Sequence, residues 1–199
     1  MPTFKAFIGS ARTGTIVVKS GNISKTFTFT QKGNGSVADI ANQYKGKTNK
    51  ALNYSSGWCA AFAQRCAEEA GCKEINTIPS STDWYSYSLM ETWFIEKGRF
   101  IPFSTTTVPE VGMLVFFDLQ RTTETDYSED KADKIRVQKD RADHTGIITA
   151  VTRNSAGHIV ITTLNGNSKL SDGSNGVAEW TDDIVSTSKV ILGYGRVTP

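Results

Sequence analysis

The chain has 199 residues, of which 38% are hydrophobic and 21% charged, and a formal net charge of +2. That length holds one domain of generous size or a domain with a small appendage, and the composition is ordinary for a globular protein. The charge is too small to argue for nucleic acid and permits only weak attraction to an anionic polymer. No apolar run approaches the roughly 18 residues needed to span a membrane.

The opening eight residues, MPTFKAFI, carry no apolar core of signal-peptide length. The expected route to any extracellular target is therefore not a cleaved leader on this chain, unless one has already been removed. Residues 3–31 read as β-rich: Phe4, Ala6 and Ile8 alternate with polar neighbours, Ile16-Val-Val-Lys19 follows, and Phe27 and Phe29 share one face of a third run. A hairpin or three-stranded meander is predicted. So short a piece buries little core, so it should pack on the main domain or on a partner. Residues 32–36 make a Gly-rich linker, which divides the chain into an extension over 1–35 and a main domain over 36–199. Ser36 can cap a helix running to about Tyr44, with Asp39 at the capping-box distance and Gly46 past its end.

The stretch from Asn53 to Gly71 predicts a loop feeding a helix, with Cys59 in the first turn. Trp58, Phe62, Cys66 and Ala70 fall on one face, with Gln64, Arg65, Glu68 and Glu69 mostly on the other. A thiol at a helix N-terminus faces unpaired N–H groups and the positive end of the dipole, and both favour thiolate. Cys59 is thus a candidate nucleophile; the alternative is a small buried cysteine packing a core helix. The remaining cysteines, Cys66 and Cys72, do not make a disulfide scaffold. Cys59 and Cys66 would lie about 10.5 Å apart along the helix axis, too far to bridge. Zinc is disfavoured because there is no Cys-x-x-Cys and the two histidines, His144 and His158, do not pair with the cysteines.

Residues 73–108 are the most aromatic part of the chain, from Trp84, Tyr85 and Tyr87 through Trp93, Phe94, Phe100 and Phe103. Core packing accounts for most of them, a groove wall for any that are exposed. A strand is predicted over 111–118 after a turn at Pro109. Residues 119–142 are polar and mixed in charge, the signature of an insertion, lid or arm, with a short helix possible from Ser128. Asp126, Asp130 and Asp133 lack the glycine and distal glutamate of a calcium loop, so no metal and no cofactor is expected.

Two strands, 145–152 and 158–164, flank the turn-rich Arg153-Asn-Ser-Ala-Gly157. A hairpin centred near Ser155 would set His144 across from Asn165, Gly166 or Asn167. His158, at the far end of that hairpin, reads as surface. Residues 190–197 predict a final strand bent by Gly193 and Gly195. A thiol hydrolase needs a nucleophile, an imidazole and a group that orients the imidazole; Cys59, His144 and an asparagine at 165 or 167 fill those places.

Five ordered blocks then carry a resemblance: Trp58-Cys-Ala-Ala-Phe62, Val111-Gly-Met-Leu-Val-Phe-Phe-Asp118, Asp143-His-Thr-Gly-Ile-Ile148, Leu164-Asn-Gly-Asn167 and Ile191-Leu-Gly-Tyr-Gly-Arg196. Over residues 36–198 the chain resembles the CHAP domain, the cysteine, histidine-dependent amidohydrolase/peptidase of the papain-like peptidoglycan hydrolases. The resemblance implies an α+β, papain-like fold, with N-terminal helices packed on a small antiparallel β-sheet. It implies Cys59 as nucleophile and His144 as general base and acid. The family's third block commonly reads Glu-x-Asn; here Asn165 stands at the Glu position and Asn167 at the Asn position, and Asn165 is taken as the orienting residue. Met113 stands where the family usually has Asp. Tyr54 is a candidate oxyanion donor and Trp58 is expected to pack beneath the site or line it.

The implied activity is a two-step amide hydrolysis of bacterial peptidoglycan by a Cys/His thiol mechanism. The scissile bond would be that of an N-acetylmuramoyl-L-alanine amidase or a peptidoglycan endopeptidase. A phage lysin or bacterial lytic protein acting at the cell wall fits this best, with peptidoglycan as partner and neither nucleic acid nor membrane. A domain of a larger phage or secreted assembly fits too, as does an antibacterial effector, which would travel with an immunity protein. Other readings are a non-catalytic wall-binding module with a degenerate site, and an amidase acting on a small soluble amide.

Overall fold

The structure is a computed structural model that describes residues 12–21, 23–31, 35–55, 57–78, 86–119, 142–187 and 190–198. Its chain order begins with a β-hairpin, β1 (Arg12–Ser20) and β2 (Ile23–Gln31), paired antiparallel from Arg12↔Gln31 to Ser20↔Ile23. This two-stranded sheet is separate from the main one. Val17, Val18 and Phe27 on it are 51%, 53% and 48% exposed. Those side chains are therefore open to solvent on about half of their surface. The predicted alternation at Phe4, Ala6 and Ile8 lies outside the described residues.

Helix α1 (Val37–Asn42) starts where the sequence predicts. Ser36 accepts from the Asp39 amide at 3.1 Å, and Asp39 accepts from the Ser36 amide at 2.9 Å, completing a capping box. The one-turn α2 (Asn49–Leu52) ends at Asn53 in the left-handed region. Helix α3 (Cys59–Glu69) follows, then a 3₁₀ turn over Lys73–Thr77 and α4 (Ser86–Glu96).

The remaining strands are β3 (Phe100–Pro102), β4 (Leu114–Phe117), β5 (His144–Arg153), β6 (Ile159–Lys169), β7 (Asn175–Asp183) and β8 (Ile191–Gly195). They form one six-stranded antiparallel sheet in the order β3-β8-β4-β5-β6-β7. Strand β4 is shorter than predicted because residues 111–113 are spent on the turn before it. It is buried on both faces: Leu114 and Phe116 join the core under the helices, Val115 and Phe117 the core on the other face. Helix α3 packs on β5 and β6.

The glycines of β8 serve close packing, and the β4–β8 register shifts beside Gly193, between the Phe116↔Gly193 and Phe117↔Ile191 pairs. A side chain at Gly193 would strike the Phe100 ring and the Ile101 carbonyl, and one at Gly195 would meet Phe94 and Phe116 at 3.0 Å. Trp93 and Phe94 are buried, and Phe100 and Phe103 pack half-buried against the core; Trp84, Tyr85 and the side chain of Tyr87 lie outside the described residues. The suggested helix at Ser128 and the calcium reading at Asp126, Asp130 and Asp133 also fall outside the described residues. No helix among the described residues is long and apolar enough to cross a membrane.

Candidate active site

Cys59 is the first residue of α3 and is 2% exposed. Its sulfur faces the backbone N–H groups of Thr145, Ala60 and Cys59 itself. The Thr145 contact ties the helix start to the start of β5, one residue from His144. The expected thiolate is not what the local field produces. Burial dominates over those three donors and pushes the thiol up to about 11. At neutral pH Cys59 is therefore a thiol, and the N-terminal dipole only softens the cost of ionising it.

His144 opens β5 and is 6% exposed. Its Nε2 lies 3.2 Å from Asn165 Oδ1. The amide is fixed from its other end, because Asn165 Nδ2 donates to Thr163 Oγ1 at 2.8 Å. With the carbonyl turned toward the ring, Nε2 carries the proton and Nδ1 is left as the acceptor. Burial holds the imidazole down to about 4, the bond to Asn165 opposing it only in part. Both members of the pair are thus neutral at rest.

The hairpin register explains this meeting. Ile147 pairs with Leu164, and continuing the ladder toward the start of β5 brings His144 to the level of Asn165–Asn167. Gly146 is required there: a Cβ at that position would overlap Asn165 Oδ1. Gly166 is required too, since a Cβ would meet Trp58 and Phe62 at 2.8 Å.

Asn167 has a different place. It sits in the irregular part of β6 at φ 58°, and its Oδ1 accepts from Asn175 Nδ2 at 3.0 Å. Asn175 Oδ1 in turn accepts from Trp58 Nε1 at 2.9 Å. This chain pins the fully buried Trp58, which precedes Cys59, to the edge strand. Tyr54 stacks on Trp58 with ring centroids 4.8 Å apart, and burial pushes its phenol up while the Arg65 guanidinium acts in the opposite sense. His158 is more than plain surface: its Nδ1 lies 3.0 Å from Asp183 Oδ2, and the same carboxylate oxygen accepts from Asn154 Nδ2. Met113, at the departure from the family's Asp, is buried, and its sulfur accepts from the Glu110 amide.

Sequence reasoning passed over Trp180. It lies on β7, and its ring stacks on His144 at 4.9 Å and 22°, with Phe117 at 6.0 Å from the same imidazole. Its partner position, Thr163 on β6, holds Asn165, so one ladder rung supports both members of the imidazole–amide pair. Trp180→Ala should cost several-fold in kcat, matching roughly 1 kcal/mol for a lost stacked pair. It should also move the acid limb of the pH–rate profile up toward 6.5 by letting water reach the imidazole. Trp180→Phe should restore most of the rate. An unchanged acid limb in Trp180→Ala would show that the indole does not shield His144.

A thiol at the head of a helix, laid against a sheet that carries an imidazole–amide pair, is the arrangement a thiol hydrolase requires. The chain belongs to the CHAP domain family, whose family model matches residues 49–167. That span runs from α2 through Asn167 and contains Cys59, His144 and Asn165. The family is one of peptidoglycan hydrolases acting on the cell wall. No curated protein and no solved structure matches the chain.

Proposed function

We propose that the protein is a cysteine amidase or endopeptidase that cuts an amide bond in peptidoglycan, using Cys59, His144 and Asn165. The observation that supports this most directly is the His144–Asn165 bond beside a helix-start thiol whose sulfur faces the Thr145 amide. In this reading the papain-like core spans 36–199, and residues 1–35 are a β-rich extension.

Because both groups rest neutral, the first step is general-base attack rather than attack by a preformed ion pair. His144 Nδ1 takes the thiol proton as the sulfur bonds to the carbonyl carbon. The ring's Nε2–H stays on Asn165, which keeps the imidazolium oriented without neutralising it. In this reading the Cys59 N–H donates to the tetrahedral oxyanion. His144 then gives its proton to the leaving amine, and water activated by the same imidazole resolves the thioester.

The test is mass spectrometry of purified peptidoglycan after digestion. Each cut should release one new amino group and one new carboxyl group, at the lactyl–alanine bond or within the stem peptide. New reducing sugar ends without new amines would place the activity on the glycan and overturn the proposal. Equal wall binding with no release of either product would instead support a wall-binding module that keeps the fold.

A further inference from the structure

The hairpin stands apart from the site, and its charge differs in sign from the rest of the chain. Residues 1–35 contain Lys5, Arg12, Lys19, Lys25 and Lys32 and no Asp or Glu. Removing those five cations from the chain's 22 leaves 17 basic residues against 20 acidic ones over 36–199, a net charge of −3. The part that holds Cys59 and His144 is therefore repelled by a polyanion, and the first 35 residues reverse that sign.

The described part of the hairpin surface is open, Lys25 included. Thr15, Val17, Val18 and every residue from Ser24 to Thr28 are exposed. Lys25 lies over the Phe27 ring with its Nζ 5.6 Å from the centroid, which braces the side chain on the sheet surface. No carboxylate within 1–35 can neutralise it, because that stretch has none. The register puts Lys19 and Lys25 on adjacent rungs near the turn, through Lys19↔Ser24 and Val18↔Lys25, so the two positions fall on opposite faces of the ribbon. A two-stranded sheet is marginal by itself, so a surface that covers it also orders it.

We infer that the β1–β2 hairpin is an electrostatic anchor for the carboxylates of peptidoglycan stem peptides, holding an otherwise anionic enzyme on an anionic polymer. The inference rests on the peptidoglycan reading above. Its occupant is chosen by charge complementarity and by the substrate class of the family. Exposed charges act over about 8 Å at physiological ionic strength, so the attachment is salt-sensitive and compatible with release and rebinding between cuts.

The experiment uses the full chain carrying Cys59→Ala, so that binding is read without digestion, and insoluble peptidoglycan from which phosphodiester polymers have been removed. Adding Arg12→Gln, Lys19→Gln and Lys25→Gln should weaken binding at least tenfold at low salt and flatten its salt dependence. Amidating the peptidoglycan carboxylates should weaken binding of the parent chain to the same degree. Unchanged binding in the triple variant overturns the proposal. So does parent-chain binding that requires the phosphodiester polymer, which would move the partner to that polymer. A hairpin-dependent dimer in sedimentation with no loss of wall binding also overturns it, assigning the surface to a second copy. The triple variant with Cys59 intact should cleave soluble muropeptides as the parent does while clearing insoluble wall more slowly. If the parent itself cleaves no muropeptide, the catalytic reading fails while the binding result stands on its own.

Discussion

Cys59→Ala should abolish peptidoglycan hydrolysis, a loss of about 10⁴-fold or more in kcat, with the fold retained. The size follows from the step removed: without the sulfur no thioester forms, and only binding and oxyanion stabilisation remain. Cys66→Ala and Cys72→Ala should stay within a few-fold of the parent. Cys66 shares the buried face of α3, but burial and the Glu69 carboxylate both push its thiol up, and only the Arg65 guanidinium opposes them. It faces none of the three amides that surround the Cys59 sulfur. Clearing of purified wall in gels, with melting curves to confirm folding, separates the three variants. Persistent clearing by Cys59→Ala would remove it as the nucleophile.

The neutral pair adds a pH signature to the same experiment. A thiol raised to about 11 is protonated throughout the physiological range, so alkylation of Cys59 by iodoacetamide should be slow at pH 7 and accelerate steadily as pH rises. A preformed thiolate–imidazolium pair would give fast alkylation already at pH 5 to 6. Activity needs His144 unprotonated, and its folded value of about 4 lies below the free-imidazole value. The acid limb of kcat/KM should therefore fall below 6.5, toward 4. The same depression has a stability sign. Above about 6.5 His144 is neutral in both folded and unfolded chains and adds no pH dependence. As pH falls toward 4 the unfolded chain takes up the proton first, and the fold loses about 3 kcal/mol relative to neutral pH.

Much of this site is legible from the residues, and the illegible parts have physical causes. Helix α1 could be read because a capping box is a local hydrogen-bond pattern, written in Ser36 and Asp39 alone. The β5–β6 hairpin could be read because alternation and turn residues fix register, and register delivers His144 to Asn165. Gln64 was misplaced on the outer face because a helical wheel sorts by polarity. It is buried, with its amide donating to the Ile75 and Ile78 carbonyls, so its polar group is satisfied inside. Strand β7 escaped notice because Asn175-Gly-Val-Ala-Glu-Trp-Thr-Asp-Asp183 is poor in β-branched residues. It is the last strand of the sheet, laddered to β6 and bonded on its other side by Val177 to Gly46 and Lys47, where pairing rather than propensity sets conformation. With β7 went Trp180 and Asn175, which together brace His144 and Trp58. The charge state of Cys59 was illegible for another reason. The helix dipole is visible in one dimension, but the burial that outweighs it is a property of the assembled core.

Asn165→Ala should lower kcat at least tenfold, and by more than Asn167→Ala. The wild-type amide does two jobs at once: its carbonyl sets the Nε2–H tautomer and its Nδ2 is held by Thr163. Removing it strands a buried ring N–H and a buried hydroxyl, which costs about 1–3 kcal/mol in stability and frees the ring to take the other tautomer. In that tautomer Nδ1 carries the proton and cannot accept one from the thiol, so the rate falls with kcat while KM changes little. Asn167→Ala instead releases Asn175 and through it Trp58, a loss felt first in the melting temperature. Asn165→Asp offers the sharper comparison. A carboxylate 3.2 Å from the imidazole favours its charged form, so the acid limb should shift upward and the alkylation profile should gain reactivity at lower pH. If Asn167→Ala proves the more damaging in kcat, or if Asn165→Asp leaves both profiles where they were, then Asn165 does not orient His144. The neutral amide would then be a core hydrogen bond that happens to touch the ring.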